Sequence, residues 1–469
     1  MTDEERDWAC EAFNRGPFSD ARHGLRVQRM AAGAARRPAG HVLDVFQTSA
    51  ERQGAYDLLE NRWVTPWQMV QSMGLATGQA AADYPQVFVV LDGTSITVTD
   101  GTKEKGLGAV GSSNMGVQGL KVINAYGLAP DGMPLGLLDQ QWWARPRSKR
   151  RQDHKNRPVQ HRETQHWLNA LEASSERLAA TAEATRAWFV VDREGDGVDM
   201  LLSADATGHL FTIRSNANRC ISPSKGCTKL SERLAKCRFR EGFTLDVPGS
   251  GHRTPRVASF RVRSCTVTLR MREKPSNRLR RLRVNVVDVV ECGTTPAGES
   301  PLHWRLLTNA DVHQPALRAE VIRSYTLRWS IEVLHRTWKS GACCIEETQL
   351  RSKQAVIKWG AIMIAVAART ERLKRRSREE PELPASIELT KFEVEALIVL
   401  KRRHKKQTET IPDSMPTLAQ AVWWMAELGG YTGKSSGGPP GSITIQRGYD
   451  FILPLALGLE QLKNEGRLR

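Results

Sequence analysis

Four side chains of complementary chemistry share one stripe of a predicted helix. Nothing in residues 325–339 breaks a helix, and successive helical residues lie about 100° apart. Tyr325, Arg328, Glu332 and Lys339 therefore fall within roughly 60° of one another. Such a stripe of a tyrosine, two cations and a carboxylate is either a solvated face or part of a functional site.

Two further carboxylates end short apolar runs upstream. Asp92 closes the run 87–92 and Asp192 closes the run 188–192, and both runs are typical of buried strands. An acid in this position often only caps a turn. The order strand, acid, helix, strand, acid and then a helix with Glu332 nevertheless fits an RNase H-like fold. In that fold, two neighbouring central strands and one helix bring three carboxylates together.

Three carboxylates in one place predict a metal site. They raise one another's pKa unless cations lie between them, and hard oxygen ligands suit Mg²⁺ or Mn²⁺. Two such ions about 4 Å apart could catalyse phosphoryl transfer by activating an attacking water or 3′-hydroxyl and stabilising the leaving oxygen. We therefore expect Asp92, Asp192 and Glu332 to be catalytic residues and ligands of two Mg²⁺ ions, for which Mn²⁺ can substitute.

The spacing Tyr-x2-Arg-x3-Glu-x6-Lys resembles the signature of DDE cut-and-paste transposases, the group typified by the transposase of transposon Tn-five. Neighbouring positions extend the match: Trp329, Ile331, His335, Trp338 and Gly341. The strand-Asp-Arg-Glu-x-Asp pattern that begins at Asp192 is a further match, and the resemblance runs nearly end to end.

This resemblance implies an enzyme that binds terminal inverted repeats, cuts DNA through a hairpin intermediate and joins the 3′ ends to target DNA. It implies a homodimer assembled on paired DNA ends. The positions expected to contact DNA are Tyr325, Arg328, Lys339, Arg214, Trp304 and Trp329. Trp304 matches a tryptophan on which an unstacked base lies, and the alternative is an ordinary aromatic residue of a β-sheet.

The composition favours a polyanionic partner. Of 469 residues, 68 are Lys or Arg and 51 are Asp or Glu, giving a net charge of +17 that is spread along the chain. No apolar run approaches the ~20 residues that span a bilayer, and the acidic N-terminus is unlike a secretory signal. The eight cysteines lack metal-clip spacing, which predicts reduced thiols. We therefore expect a cytoplasmic, nucleoid-associated bacterial protein that binds DNA.

The first 68 residues predict a small helical DNA-binding domain. Asp20 could cap a helix over 21–37, on which Arg22, Arg26 and Arg29 align. A solvated basic face is the alternative. Because the segment also resembles the N-terminal DNA-binding domain of the same transposase group, we expect these arginines to contact DNA.

Two further domains are predicted, giving an α/β protein overall. Residues 69–376 would form the RNase H-like catalytic domain, in which alternating segments at about 216–310 resemble the β-rich insertion of the family. Residues 144–163 are polar and basic and predict a surface excursion. Residues 377–469 predict helices whose apolar faces could be internal core or, by resemblance, a dimerisation surface.

Two other functions compete with the transposase interpretation. A catalytically silent DNA-binding inhibitor of transposition would not need Asp92, Asp192 and Glu332. An RNase H-like nuclease acting on RNA–DNA hybrids or junctions would not need the basic N-terminal domain. A metal-dependent cleavage assay with different substrates distinguishes the three.

Overall fold

The computed structural model describes residues 3–101, 104–111, 116–145, 159–247, 249, 253–404, 409, 411, 414–433 and 438–467. Most of the predicted surface excursion, residues 146–158, lies outside these ranges. The helices are α1 (Asp3–Phe13), α2 (Ala21–Arg36), α3 (Val42–Val45), α4 (Ser49–Glu60), α5 (Pro66–Ala81), α6 (Thr164–Thr181), α7 (Val198–Ala206), α8 (Leu230–Ala235), α9 (Pro315–Leu327), α10 (Trp329–Lys339), α11 (Lys353–Glu379), α12 (Lys391–Arg403), α13 (Leu418–Leu428) and α14 (Ser442–Asn464). The strands are β1 (Gln86–Thr97), β2 (Gly108–Ala109), β3 (Gln118–Leu128), β4 (Pro134–Trp143), β5 (Arg186–Val191), β6 (Leu210–Arg214), β7 (Cys220–Ser224), β8 (Cys227–Lys229), β9 (Glu241–Val247), β10 (Arg256–Arg272), β11 (Leu279–Cys292) and β12 (His303–Thr308).

The strands form one mixed sheet in the order β2-β3-β1-β5-β6-β12-β11-β10-β7-β8, with β4 beside β3 and β9 beside β10. At its centre, β1, β5 and β6 run parallel. β3 and β4 lie antiparallel on one side, and β12, β11 and β10 continue antiparallel on the other. Helices flank the sheet, which confirms the predicted α/β class.

The strands of residues 216–310 extend the central sheet. β12 pairs with the edge of β6, where Leu306 lies opposite Arg214, and β11 then pairs with β12. An open edge on β6 would leave backbone groups unpaired, and β12 supplies their partners. The segment predicted as a β-rich insertion is therefore continuous with the strands that carry the two aspartates.

The prediction of one unbroken helix over 325–339 is wrong. α9 ends at Leu327, α10 begins at Trp329, and the residue between them is Arg328. The Arg328 N–H bonds to the carbonyl of Tyr325, and the Ile331 N–H bonds to the carbonyl of Arg328, both three residues back. These bonds tighten the chain into a turn of 3₁₀ type at Arg328, where one helix ends and the next begins.

Each face of the sheet carries its own hydrophobic core. α6, α7 and α8 pack on one face around Leu171, Met200 and Leu230. The other face is covered by α9, α10, α11 and the N-terminal helices, which share a single core with residues of β1 and β5 such as Phe88 and Trp188. α12, α13 and α14 enclose a third core of their own.

α11 connects the N-terminal helices to the sheet. Its residues 355–368 are buried without interruption, which explains the apolar middle of its sequence. The buried Lys358 donates hydrogen bonds of 2.8 Å to the carbonyls of Leu59 and Asn61, at the end of α4, and Trp359 Nε1 donates to the carbonyl of Gly40. No helix in the described ranges, α11 included, combines the length and apolar character needed to cross a bilayer.

A buried ion pair ties α6 to the sheet and gives a first prediction. Arg177 Nη1 lies 2.5 Å from Asp139 Oδ1, and both side chains are almost fully buried. We expect Arg177→Met to reduce the free energy of unfolding by about 3–5 kcal/mol, because it leaves the Asp139 carboxylate buried without a cation beside it. Urea unfolding curves at pH 7 measure this loss.

The matched control is the exposed pair of Arg145 and Glu163, which lies just before α6. Arg145→Gln should change the free energy of unfolding by about 1 kcal/mol or less, since exposed ion pairs contribute little. Equal losses in Arg177→Met and Arg145→Gln would contradict the importance given to the buried pair.

Candidate active site

The sheet places the two aspartates side by side. β1 and β5 are parallel neighbours in which Leu91 pairs with Val191. Asp92 and Asp192 come next along the chain, so their carboxylates occupy the same level of the sheet. The prediction that Asp92 ends its strand is wrong, because β1 continues to Thr97 by pairing with β3. β5 ends at Val191, and Asp192 begins a short 3₁₀ turn. The sequence prediction that both strands deliver an acid to one place is consistent with this register.

Arg328 lies among all three predicted carboxylates. Its Nη1 is 3.5 Å from Asp92 Oδ2 and 4.0 Å from Asp192 Oδ2, and its Nη2 is 2.5 Å from Glu332 Oε1. The guanidinium side chain is only 9% exposed. The turn between α9 and α10 thus delivers a buried cation to the centre of the acidic cluster, and α10 delivers Glu332 one turn later.

Tyr325 and Arg214 hold Asp192 from the other side. The Tyr325 hydroxyl donates a 2.9 Å hydrogen bond to Asp192 Oδ1, and Arg214 Nη1 donates to the Tyr325 oxygen at 3.0 Å. Arg214 Nη1 is also 3.6 Å from Asp192 Oδ1. Two residues predicted to contact DNA phosphates therefore contact the carboxylate of Asp192, a predicted catalytic residue, in this structure.

The two aspartates have pKa values shifted in opposite directions. Burial raises the pKa of Asp92 to about 7, against the lowering effect of Arg328 and of the Gly93 amide, and the neighbouring Asp192 and Glu332 raise it further. Burial also disfavours the charged form of Asp192. There, however, Arg328, the Arg193 amide, Tyr325 and Arg214 together hold the pKa below its usual value. Asp192 is therefore the more readily ionised of the two acids.

A buried hydrogen-bond network fixes α10 against the sheet. Asn124 pairs with Asp92 across β3 and β1, and its Nδ2 lies 2.9 Å from His335 Nε2. Gln140 Nε2 donates to Asn124 Oδ1 at 2.7 Å. Because His335 lies one turn after Glu332, this network sets the distance between the helix that carries Glu332 and the strand that carries Asp92. An amide in the middle of the apolar run 122–128 of β3 is the sequence signal that could have identified Asn124.

The acids open into a cavity of about 470 Å³ that also contains Lys339. Lys339 Nζ is 3.5 Å from Glu346 Oε1, and the Thr97 amide donates to the same oxygen at 2.8 Å. Glu346 and Glu194 both line this cavity, and neither was identified from the sequence as a site residue. Glu346 positions Lys339 beside the end of β1.

Trp304 belongs to a row of aromatic rings that leads to the site. Phe243, Phe260, Trp304 and Tyr325 follow one another with ring centroids 5.2 to 5.4 Å apart. Trp304 is buried, and one of its faces stacks on Phe260. Its role in binding a base stays a prediction, since the ring lies between Phe260 and Tyr325. Trp329 is partly exposed at the start of α10.

The N-terminal arginines lie elsewhere. Asp20 caps α2 as predicted, and its carboxylate pairs with Arg22. Arg22, Arg26 and Arg29 are all exposed, which agrees with the predicted common face. Arg26 and Arg29 border a cavity of about 640 Å³ between α2 and α14, a different place from the cavity that holds the three acids. Their DNA contacts remain a prediction.

The donor set of the site suits a hard divalent cation. Asp92, Asp192 and Glu332 offer only oxygen ligands, which Mg²⁺ and Mn²⁺ prefer. In the ranges described above, no three His, Cys, Asp or Glu side chains are close enough together to hold a metal ion. The guanidinium of Arg328 is the common neighbour of the three carboxylates. A comparison with models of known protein families finds none that matches this chain.

The buried histidine predicts a pH dependence of stability. Burial lowers the pKa of His335 to about 3, from an ordinary value of 6.5, and the cations Lys339 and Arg328 lower it further. Between these values the unfolded chain binds a proton that the folded chain does not, so stability falls as the pH falls below about 6.5. The loss should approach about 1.4 kcal/mol per pH unit.

Unfolding measured at pH 7, 6 and 5 for the wild type and His335→Gln tests this. The difference in unfolding free energy between the two proteins should shrink as the pH falls, because glutamine does not titrate. His404→Gln, at an exposed histidine, is the control and should follow the wild type. Parallel curves for wild type and His335→Gln would contradict the prediction.

Proposed function

We propose that this chain is a DNA transposase of the DDE cut-and-paste type, and that Asp92, Asp192 and Glu332 are its catalytic residues. The observation that carries the proposal is the convergence of these acids, from β1, β5 and α10, on one cavity that also contains Arg328 and Lys339. The acids are 100 and 140 residues apart in the chain, and the resemblance to the transposase signature requires them to meet.

An RNase H-like core is part of the proposal. The parallel neighbours β1 and β5 each supply an acid, β6 follows in parallel, and β3 and β4 lie antiparallel beside β1. This arrangement supports the expectation of two central strands crossed by a helix with the third acid. The proposal of an RNase H-like core rests on this strand order together with the sequence resemblance.

The carboxylates would hold two Mg²⁺ ions, or Mn²⁺ in their place. When bound, these ions would supply the Lewis acid for attack by water or a 3′-hydroxyl on a DNA phosphate. Asp192 is the more readily ionised acid, and Asp92 would lose its proton to act as a ligand. Arg328 would leave the carboxylates and grip a phosphate with two parallel hydrogen bonds. Lys339 would contact a neighbouring phosphate.

The proposed partners are DNA and a second copy of the chain. The net charge of +17 favours a polyanion, and the exposed arginines of α2 suit the inverted repeats. Phe451 of α14 and Trp423 of α13 are exposed hydrophobic residues on the C-terminal helices, where the resemblance places dimer contacts. Such a protein would work on the bacterial nucleoid.

The decisive experiment is a cleavage assay. A labelled duplex carrying the inverted repeat that flanks the gene is incubated with protein and Mg²⁺, and the products are separated on a denaturing gel. We expect nicks at the repeat boundary and a hairpin-length band. Glu332→Gln should reduce the rate of cleavage by more than the roughly 10–100-fold that is typical of changes to residues around metal ligands, since this variant removes a proposed ligand itself.

Glu347→Gln is the matched control, because this carboxylate is exposed and lies outside the cavity. It should cut like the wild type. Tight binding without cleavage in Mg²⁺ or Mn²⁺ would favour the silent inhibitor, and preferential cutting of RNA–DNA hybrids would favour the nuclease. Undiminished cleavage by Glu332→Gln would refute the assignment of this residue.

The position of Arg328 predicts that it competes with metal ions. Removing its charge with Arg328→Gln should strengthen Mn²⁺ binding to the DNA-free protein by roughly tenfold or more, because a cation near three acids opposes a second one. Titration followed by electron paramagnetic resonance measures free Mn²⁺ directly. Arg336→Gln removes the same charge from an exposed residue of the same cavity and should have a smaller effect. Equal effects would show that Arg328 has no special position.

A further inference from the structure

Arginines concentrate on one face of the β10–β11 hairpin, whose strands pair as far as Arg272 and Leu279. Alternate residues of a strand face opposite sides. Along the distal half of the hairpin, one set of side chains, including Leu269, Leu282 and Val284, is buried in the core on the α8 side. The opposite face carries four exposed arginines: Arg270, Arg272, Arg281 and Arg283. We call these four residues the hairpin arginines.

The hairpin arginines repel one another. Arg270 and Arg281 are direct cross-strand partners, and like charges in that position destabilise a sheet. The nearest acid of the hairpin, Glu273, pairs instead with Arg280. Within the described ranges, neither Arg270 nor Arg281 has an acidic partner in an ion pair. A face of this kind is stabilised when a polyanion covers it.

We propose that the hairpin arginines form a binding surface for the phosphate backbone of duplex DNA. Residues two apart in a strand are separated by about 6.8 Å, and the phosphates of one DNA strand advance by about 3.4 Å each along the duplex axis. Arg281 and Arg283 form one row of positive charge and Arg270 and Arg272 a second row beside it, which suits a regular line of phosphates. The inference rests on the proposed function, because it takes DNA as the polyanion that the protein handles.

The residue types on this face of the hairpin indicate DNA binding without sequence specificity. Contacts to phosphates position a duplex and carry no sequence information directly, whereas sequence is read at the base edges in the grooves. The side chains between the hairpin arginines are Thr268 and Leu279, which offer little to a base edge. The surface would therefore hold DNA of any sequence, and suits the DNA outside the inverted repeat. An acidic protein segment lacks the regular phosphate spacing that the two rows match.

The test compares two double variants of equal charge change. Arg270→Gln/Arg281→Gln alters the surface, and Arg186→Gln/Lys391→Gln alters two exposed cations elsewhere. Binding of a duplex of unrelated sequence is measured against salt concentration. The hairpin variant should show a slope of log K against log salt that is shallower by about 1.8, at about 0.9 per phosphate contact. Its affinity at 0.1 M salt should fall by roughly 10–100-fold, and the control should keep the wild-type slope.

A charge-conserving variant and a stability measurement complete the test. Arg270→Lys/Arg281→Lys keeps both charges and should keep the slope. Thermal unfolding at low salt should show the glutamine variant at least as stable as the wild type, since a repulsion is removed. A drop in its unfolding temperature would overturn the argument from repulsion.

An unchanged slope in the glutamine variant, or an equal change in the control, would overturn the surface itself. Weaker binding of duplex RNA with unchanged binding of DNA would assign the surface to RNA and overturn the proposal. The wild type separates the two levels of inference: if it does not bind DNA at any salt concentration, the proposed function fails as well. If the wild type binds and only the hairpin prediction fails, the transposase proposal stands.

Discussion

One guanidinium holds the centre of this structure together. Three carboxylates of a buried cluster cannot all be charged without a nearby cation, and Arg328 supplies that charge through contacts with Asp92, Asp192 and Glu332. The same group stands over the ring of Tyr325, 5.6 Å from its centroid. Every proposed catalytic residue is thus positioned in relation to one side chain, and the chemistry of the site depends on what replaces it.

The fold is arranged to make this contact possible. The parallel register of β1 and β5 sets the two aspartates beside each other, and the turn at Arg328 separates α9, which carries Tyr325, from α10, which carries Glu332. The network of Asn124, Gln140 and His335 then fixes α10 at its distance from β3. These are separate long-range constraints, so the geometry of the site depends on the packing of the sheet as a whole.

The residues proposed to contact DNA at the site would each exchange a carboxylate for a phosphate. Tyr325, Arg214 and Arg328 are engaged with carboxylates, and Lys339 is engaged with Glu346. Each of these groups could turn to a phosphate oxygen, because the charges of a phosphate and a carboxylate are alike and their oxygens accept similar hydrogen bonds. Arg270 and Arg281 of the hairpin differ, because among the residues that the structure describes neither forms an ion pair with a carboxylate, which suits a surface that meets DNA without rearranging the site.

The sequence by itself determined the local structure around the candidate residues. Apolar runs ending in acids predicted the central strands, Asp20 predicted the start of α2, and the spacing of Tyr325, Arg328, Glu332 and Lys339 placed them on one side of a helical segment. These features are local, because a period of about two or 3.6 residues and a capping side chain act over a few neighbours. The α/β class followed from the same patterns.

Only the tertiary structure decided how distant groups meet. Asn124 and His335 are 211 residues apart, and the pairing of β12 with β6, which makes the predicted insertion part of the central sheet, depends on strand register. The break at Arg328 has no helix-breaking residue to announce it. The break occurs at an arginine whose side chain lies near three carboxylates, and two of these, Asp92 and Asp192, come from the strands β1 and β5. Such contacts are set by packing and charge between remote segments, and a local pattern of residues does not contain that information.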